Sequence, residues 1–323
     1  MATRTNKEQH YLGVEIGGTK QQLCVGTGAG EILVRRTVQL GEVTAAEILD
    51  WLAENIRQLA AETPFSGAGV GFGGPLETKT GRVLSSLQVP GWQDFALGEW
   101  FEKLLPCPVT VANDTFTGGL GELYAGAGQG ARVLFYTNIG TGIGGGLYLN
   151  GKGFDGTGFG AAYLGNTLVP DWRGDQPGAY TRMELLVSGR SIARRLREPG
   201  YVPADSTLSA LCGEDVSSLS ALELGQAVRA GDAFACQELD RIAESFSIAL
   251  VNMLASTGAD RVVIGGGVAK MGDVLFDRIR EKTETLAFIA NRGRYEILPS
   301  ALADDAVLAG ALLLARQGKT LFL

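Results

Sequence analysis

The sequence is poor in histidine and cysteine, the side chains on which many catalytic and metal sites depend. Of 323 residues only His10 is a histidine, and it lies in the polar opening segment MATRTNKEQH. A Ser-His-Asp triad or an H-E-x-x-H metal site is therefore not expected, and a general base would have to be a carboxylate. The four cysteines form no C-x-x-C pair, which favours a reducing, cytoplasmic setting.

Membrane spans, a basic surplus and a P-loop are missing as well. No stretch approaches the roughly 20 apolar residues of a membrane span, and the opening segment lacks the apolar run of a signal peptide. The net charge is −7, whereas nucleic-acid and anionic-membrane binders need a basic face. The signature G-x-x-x-x-G-K-[ST] does not occur. We expect no nucleic-acid partner and no membrane association.

Glycine, in contrast, is abundant, with 47 of 323 residues, about twice the usual share. Three clusters each follow an apolar run: IGGTK at 16–20, IGTGIGGG at 139–146 and IGGGVA at 264–269. Exposed backbone N–H groups at a hairpin tip suit a phosphate, and a glycine slot without side chains suits a nucleoside. The residues assigned to nucleotide binding are Gly17, Gly18, Thr19, Lys20, Gly140, Thr141, Gly142, Gly265, Gly266 and Gly267.

Two plainer interpretations of the glycines compete with this one. Each cluster alone is compatible with an ordinary tight turn. Gly140, Gly142 and Gly145 also satisfy the dinucleotide pattern G-x-G-x-x-G, but that pattern opens a helix, and the residues that follow here predict a strand. The three clusters together favour nucleotide binding.

A repeated pattern of elements predicts two α/β domains facing a cleft. Strands at 11–17, 21–26 and 32–40 precede a helix that begins after Thr44, and a second strand pair occurs at 133–138 and 146–150. The recurrence of a glycine-tipped hairpin indicates that one supersecondary unit occurs twice. We expect a smaller domain of residues 1–114 plus about 304–323, and a larger domain of residues 115–303.

Asp114 is the candidate general base because it follows a strand and precedes a helix, at a rigid strand end. Phosphoryl transfer to an alcohol needs a group that accepts the hydroxyl proton. The spacing alone leaves a second role open, since an aspartate at this place could simply cap the helix that begins near Thr115.

The combination of segments resembles the ROK family of repressors, open-reading-frame proteins and sugar kinases. The two glycine hairpins, VVIGGGVAKMGDVLFDRIRE, VANDTFTGGLGE and LPSALADDAVLAGALLLA carry the resemblance, which covers nearly the whole chain from Tyr11 on. It implies an actin-like ATPase fold of two ribonuclease-H-like domains, an ATP- and Mg²⁺-dependent sugar kinase, and a homodimer.

The resemblance also implies roles for single residues. Asp114 would be the general base, and Asn113 would bind a sugar hydroxyl. Glu15 stands where the family usually has an aspartate and would hold Mg²⁺ through water. Gln88, in the segment SSLQVPGWQDF, would belong to a loop that covers the sugar, and Glu184 would contact sugar hydroxyls.

The chain departs from the family where a zinc loop is usual. Tyr163 and Asn166 replace the glutamate and histidine of Glu-x-Gly-His, and Asp175, Pro177 and Arg182 stand at cysteine positions. A structural zinc site needs its four donors together, so we expect no zinc. Tyr163 and Asn166 also line the expected sugar site, and glucose specificity therefore does not carry over; the sugar stays open.

Two alternatives to a sugar kinase follow from the same residues. Tyr163 and Asn166 motivate a nucleotide- and sugar-binding protein with little or no kinase activity, although such a protein has no need of Asp114. A repressor is not expected, because the first hairpin begins within twenty residues of the start and leaves no room for a helix-turn-helix domain.

Overall fold

The computed structural model describes residues 9–86, 89–174, 176–213 and 215–323. The strands are β1 His10–Ile16, β2 Lys20–Thr27, β3 Ile32–Gln39, β4 Phe65–Phe72, β5 Leu76–Glu77, β6 Arg82–Val83, β7 Phe95–Ala96, β8 Val109–Asn113, β9 Val133–Asn138, β10 Gly146–Leu149, β11 Lys152–Phe154, β12 Leu168–Pro170, β13 Tyr180–Arg182, β14 Arg261–Gly265 and β15 Glu296–Pro299. The helices are α1 Ala45–Glu62, α2 Leu97–Leu104, α3 Asp114–Ala125, α4 Glu184–Val187, α5 Gly189–Leu196, α6 Thr207–Cys212, α7 Ala221–Arg229, α8 Ala233–Thr257, α9 Asp273–Leu286 and α10 Ala306–Gln317.

The chain divides into two compact units. Unit 1 contains the described residues up to Gly130 together with Gly146–Ala161 and Asp304–Leu323, and unit 2 contains Ala131–Gly145 and Ala162–Ala303. The structure thus places α3 in unit 1, whereas the sequence-based boundary fell at residue 114. The physical reason is that α3 packs along α10, which returns to unit 1 at the end of the chain.

Unit 1 is built on a five-stranded sheet with the order β3-β2-β1-β4-β8. β1 and β2 pair antiparallel, as do β2 and β3, whereas β4 pairs parallel with both β1 and β8. Side chains alternate between the two faces of a strand. Leu12 and Val14 of β1 therefore join the α1 side of the core, while Tyr11 joins Leu308 and Leu312 of α10 on the other side.

Helices α3 and α10 approach so closely that glycine is required at their contact. A Cβ atom added to Gly310 would lie 1.7 Å from the Thr117 carbonyl oxygen, and one added to Gly69 would lie 2.0 Å from the Ala311 carbonyl oxygen. Both separations are far below van der Waals contact. The glycines therefore let α10 lie directly on the sheet and on α3, which fixes the direction in which α3 leaves β8.

Unit 2 has three parallel strands in the order β9-β14-β15, with β14 in the centre. Its core includes the apolar face of the 25-residue helix α8, with Leu239, Ile242, Phe246 and Leu250. These four residues carry the periodicity that predicts a long buried helix, and that prediction is confirmed. The helix ends at Gly258, whose φ of 63° is left-handed, as helix C-termini favour.

The helix start predicted at Thr44 is confirmed. The side chain of Thr44 accepts from the Glu47 backbone N–H at 3.4 Å, and the Glu47 carboxylate accepts from the Thr44 N–H at 2.8 Å. This capping box starts α1.

Within the described residues, no helix combines the length and the apolar character needed to cross a bilayer.

Candidate active site

Asn113 and Asp114 lie at the junction of β8 and α3. The Asn113 side-chain oxygen accepts from the backbone N–H groups of Thr115 and Phe116 at 3.0 and 3.1 Å, so Asn113 is the N-cap of α3. Its amide nitrogen donates to the Gly74 carbonyl at 3.2 Å. The amide is thus held from both sides, and it fixes the next residue, Asp114, on the first turn of the helix.

Asp114 directs one carboxylate oxygen at the helix and the other toward Gly73. Its Oδ1 accepts from the Thr115 backbone N–H at 2.6 Å. A Cβ on Gly73 would lie 3.2 Å from Oδ2 and 3.2 Å from the Ile16 carbonyl oxygen, so a side chain there would crowd this carboxylate oxygen. Burial, and after it the negative charge of Glu15, raises the pKa of Asp114 to about 7, although hydrogen bonds from Thr115 and Asn113 oppose the shift.

Glu15, near the end of β1, belongs to the same charged cluster. Its carboxylate accepts a hydrogen bond from the Gln22 side-chain amide and lies 4.0 Å from the Lys20 ammonium. Burial raises the pKa of Glu15 above its ordinary value, the charge of Asp304 adds to the rise, and Lys20 and Gln22 offset part of it. Glu15 and Asp114 therefore both have raised pKa values, and the negative charge of Glu15 contributes to the rise at Asp114.

Gln22 and Asp304 are members of this cluster that sequence reasoning missed. Gln22 is almost fully buried, and its amide also donates to the Asp304 carbonyl at 3.3 Å. It thereby connects Glu15 to the segment that leads into α10. Both Gln21 and Gln22 of β2 are buried, so alternation along this strand does not single out Gln22, and its partner lies 282 residues further along the chain.

The first glycine turn connects β1 to β2 beside these groups. The Ile16 carbonyl accepts from the Gly73 N–H at 2.8 Å, and the Thr19 carbonyl accepts from the Leu40 N–H at 2.8 Å. These bonds hold both shoulders of the turn. Gly17 and Gly18 lie between them, partly exposed, and Thr19 is exposed. The turn thus presents hydroxyl and amide groups, as an anion site would need.

In unit 2, the second and third glycine clusters contact each other. The Ile139 N–H donates to the Gly265 carbonyl at 2.8 Å, and the Ile139 carbonyl accepts from the Val268 N–H at 2.9 Å. Gly266 has a φ of 90°, and a Cβ there would lie 2.6 Å from the Ile139 backbone. The structure therefore brings Gly140–Gly142 and Gly265–Gly267, far apart in sequence, to adjoining strand ends.

The sugar-site candidates of unit 2 lie against the turn at 139–145. The Glu184 Oε2 atom is 3.5 Å from the Ile143 backbone nitrogen. Tyr163 precedes a short 3-10 helix, Leu164–Asn166, and Asn166 is its last residue. A Cβ on Gly165 of this helix would lie 2.4 Å from the Ile143 carbonyl oxygen. Tyr163 is half-buried and Asn166 is exposed. These residues therefore share one end of unit 2 with the second glycine cluster.

Two expected site positions, Gln88 and Asp175, lie outside the described residues. Trp92, from the same segment as Gln88, is buried in the core of unit 1, with its ring 5.1 Å from Phe72 and 5.3 Å from Phe95 in edge-to-face contacts. The tryptophan thus anchors its loop to unit 1.

Acidic, cysteine and histidine side chains do not form a metal-binding group of three anywhere in the part of the chain that the structure describes. Pro177 and Arg182 are exposed on or beside the hairpin of β12 and β13. The absence of zinc stays a prediction that metal analysis can test.

Known proteins resemble this chain over nearly its whole length. The model of the ROK family matches residues 11–318. The chain is 31% identical over 322 residues to a glucokinase of Halalkalibacterium halodurans, with 96% of each covered. It is also 31% identical over 314 residues to a glucokinase of Thermotoga maritima, which covers 95% of this chain and 97% of the relative.

A solved structure agrees with the sequence comparisons. The crystal structure of a ROK family glucokinase from Streptomyces griseus, in complex with glucose and AMPPNP, matches with a TM-score of 0.82 and 28% identity, over 96% of this chain and 100% of that one. The resemblance inferred from the motifs is confirmed, and so is the predicted actin-like ATPase fold.

Proposed function

Because this chain belongs to the ROK family, we propose that it is an ATP-dependent sugar kinase. It would transfer the γ-phosphate of ATP to a hydroxyl of a hexose or a hexose derivative. The single observation that carries the proposal within the site is Asp114: a carboxylate at a rigid strand end, whose Oδ2 lies beside Gly73 and whose pKa is raised to about 7. A general base works best when its pKa is near the operating pH.

The proposed reaction moves one proton and one phosphoryl group. The sugar hydroxyl oxygen attacks the γ-phosphorus in line, its proton passes to Asp114 Oδ2, and the bond from phosphorus to the ADP oxygen breaks. Asn113 would hold Asp114 in place through the cap of α3, in addition to any contact with the sugar. Because Asn113 already makes bonds to Thr115, Phe116 and Gly74, its position is set before a substrate binds.

The glycine turns would bind the nucleotide. Under this proposal the amides at Gly17–Gly18 and Gly140–Gly142 and the hydroxyls of Thr19 and Thr141 hold phosphates, Lys20 adds a positive charge, and Gly265–Gly267 leaves room for the nucleoside. Carboxylate oxygens are the ligands that Mg²⁺ prefers, and the paired charges of Glu15 and Asp304 fit that ion. When bound, Mg²⁺ would neutralise part of the phosphate charge, and Glu15 would hold the ion through water.

Under this proposal the sugar is recognised by Glu184, Tyr163, Asn166 and Asn113, with Gln88 as a further candidate. A tyrosine hydroxyl can donate where a carboxylate only accepts. A site whose polar groups need partners rejects sugars that leave them unpaired. Because Tyr163 stands where the family usually has a glutamate, glucose specificity is not carried over to this chain, and the sugar is left to the substrate panel.

A coupled ADP-release assay over a panel of hexoses and acylated hexosamines tests the proposed activity. We expect turnover on at least one sugar that depends on ATP and on Mg²⁺. Binding of ATP and sugar without ADP release from any member of the panel would contradict the kinase proposal and favour a binding protein without phosphotransfer.

A further inference from the structure

The segment between Asn166 and Glu184 is a hairpin that carries one of these residues at each end of its base. Strands β12 and β13 pair antiparallel. Below them, the Met183 N–H donates to the Thr167 carbonyl at 2.9 Å and continues the ladder. Asn166 and Glu184 directly adjoin this bond, one on each side, so the placement of the hairpin sets the position of both residues.

The tip of this hairpin is held by Trp172 between two cations. The guanidinium of Arg195 lies 4.9 Å from the centre of the Trp172 ring, and that of Arg241 lies 5.4 Å from it. The indole N–H donates to the Ser245 hydroxyl at 3.0 Å. Trp172 thus makes two cation–π contacts and one hydrogen bond, and it attaches the tip to α5 and α8.

Arg195 also holds the other end of the segment. It is 1% exposed, its Nε donates to the Glu238 carboxylate, and its Nη1 donates to the Leu186 carbonyl at 3.0 Å. Leu186 lies in α4, two residues after Glu184. The Nη2 atom is buried without a hydrogen-bond partner, so the contact with the face of Trp172 compensates this side of the cation.

We propose that Arg195 and Trp172 are positioning residues for the sugar site. One buried guanidinium fixes the hairpin tip through Trp172 and fixes α4 through Leu186, and it thereby sets where Asn166 and Glu184 face the substrate. The inference rests on the proposed function, because it takes Asn166 and Glu184 as sugar ligands. A purely structural role would lower stability without separating sugar binding from nucleotide binding.

Three variants and one control test this role. Trp172→Leu removes the ring, Trp172→Phe keeps a ring face but loses the bond to Ser245, and Arg195→Lys keeps the charge but loses the planar fork. Trp100→Leu removes a half-buried tryptophan of unit 1 as the control. If Arg195→Lys does not fold, Trp172→Leu still tests the proposal, because Trp172 is only partly buried and its replacement should disturb the fold less.

The readouts are the sugar Kd by calorimetry, which needs no turnover, and the KM values for sugar and ATP. We expect Trp172→Leu to weaken sugar binding about tenfold, the equivalent of one desolvated cation–π contact, while the KM for ATP changes less than about twofold. Trp172→Phe should recover most of the affinity. Trp100→Leu should leave the sugar Kd unchanged.

Each failure has a distinct meaning. Equal losses of sugar and ATP binding in folded Trp172→Leu, or an unchanged sugar Kd, would overturn the positioning role. A wild-type chain that binds sugar without phosphorylating it would end the kinase proposal, while the Kd comparison would still decide the role of Trp172. A wild-type chain that binds no sugar would overturn both.

Discussion

Asn113 and Asp114 are neighbours in sequence, but only Asn113 occupies the N-cap of α3. Its side-chain oxygen accepts from Thr115 and Phe116, so the helix start does not need Asp114 as a cap. Asp114 instead combines burial with proximity to the charge of Glu15, and its pKa is raised to about 7. A carboxyl group whose pKa is raised by folding destabilises the folded state when it is ionised, and the first prediction follows from that cost.

Asp114→Asn should stabilise the protein, and more so at alkaline pH. The folded-state pKa lies above the unfolded value of about 3.8, so ionisation of Asp114 destabilises the fold progressively as the pH rises toward 7. At 1.36 kcal/mol per pKa unit, removing the charge should gain up to about 4 kcal/mol at pH 8 and about 2 kcal/mol at pH 5. Because part of the side chain is accessible to water, these values are upper bounds.

Urea unfolding at the two pH values measures this gain, with Asp50→Asn on the exposed face of α1 as the matched control. The control should shift the midpoint little at either pH. A loss of stability in Asp114→Asn at pH 8 would show that the carboxylate supports the fold.

The pH dependence of activity should carry the signature of Asp114. Since the base must be ionised, kcat/KM should fall below about pH 7 as the carboxylate takes up a proton. Glu15→Gln removes the neighbouring negative charge and should move this acid limb to lower pH. The profile is measured at saturating Mg²⁺, and a limb that stays in place or moves upward would contradict the coupling of the two carboxyl groups.

Alanine substitutions at Gly266 and Gly267, two neighbouring glycines of the third cluster, should have different effects on stability and on ATP binding. Gly266→Ala places a Cβ 2.6 Å from the Ile139 backbone at a φ of 90° and should destabilise unit 2, by about 1–3 kcal/mol. Gly267→Ala meets nothing within 4 Å and should leave stability unchanged while it weakens ATP binding, because the added methyl group fills the space assigned to the nucleoside.

Thermal unfolding and ATP titration by calorimetry separate the two effects. Normal ATP affinity in a stable Gly267→Ala protein would remove this glycine from the nucleotide site.

The contact between α3 and α10 should depend on Gly310. Gly310→Ala would put a Cβ 1.7 Å from the Thr117 carbonyl, so the helices must separate and the position of Asp114 at the start of α3 must shift. We expect a loss of about 3 kcal/mol or more in unfolding free energy together with reduced activity. Gly41→Ala, which meets nothing within 4 Å, is the control, and equal denaturation midpoints for the two variants would contradict the close packing.

Local chemistry made much of this fold predictable. Strands β1 to β3 follow from short runs of strand-forming residues bounded by tight turns. Helix α1 follows from the N-cap Thr44 and from a stripe of buried residues, Ile48, Leu52 and Ile56. Each signal lies within a few residues of the structure it specifies, so no tertiary information is needed to interpret it.

The parts that could not be predicted depend on contacts between distant residues. Arg195 follows Arg194 in a basic helix, where charged residues usually face solvent, and its burial is compensated by Glu238, 43 residues away. Gln22 meets Glu15 across β1 and β2, but its second partner is Asp304. The assignment of α3 to unit 1 depends likewise on α10, at the other end of the sequence.

The most direct test of the central claim is ADP release by Asp114→Asn at saturating ATP, Mg²⁺ and the best sugar of the panel. The account predicts that kcat falls at least about 10²–10⁴-fold, while the Kd values for ATP and sugar stay within about threefold and Asp50→Asn retains full activity. An Asp114→Asn protein that turns over the sugar at the wild-type rate would contradict the account.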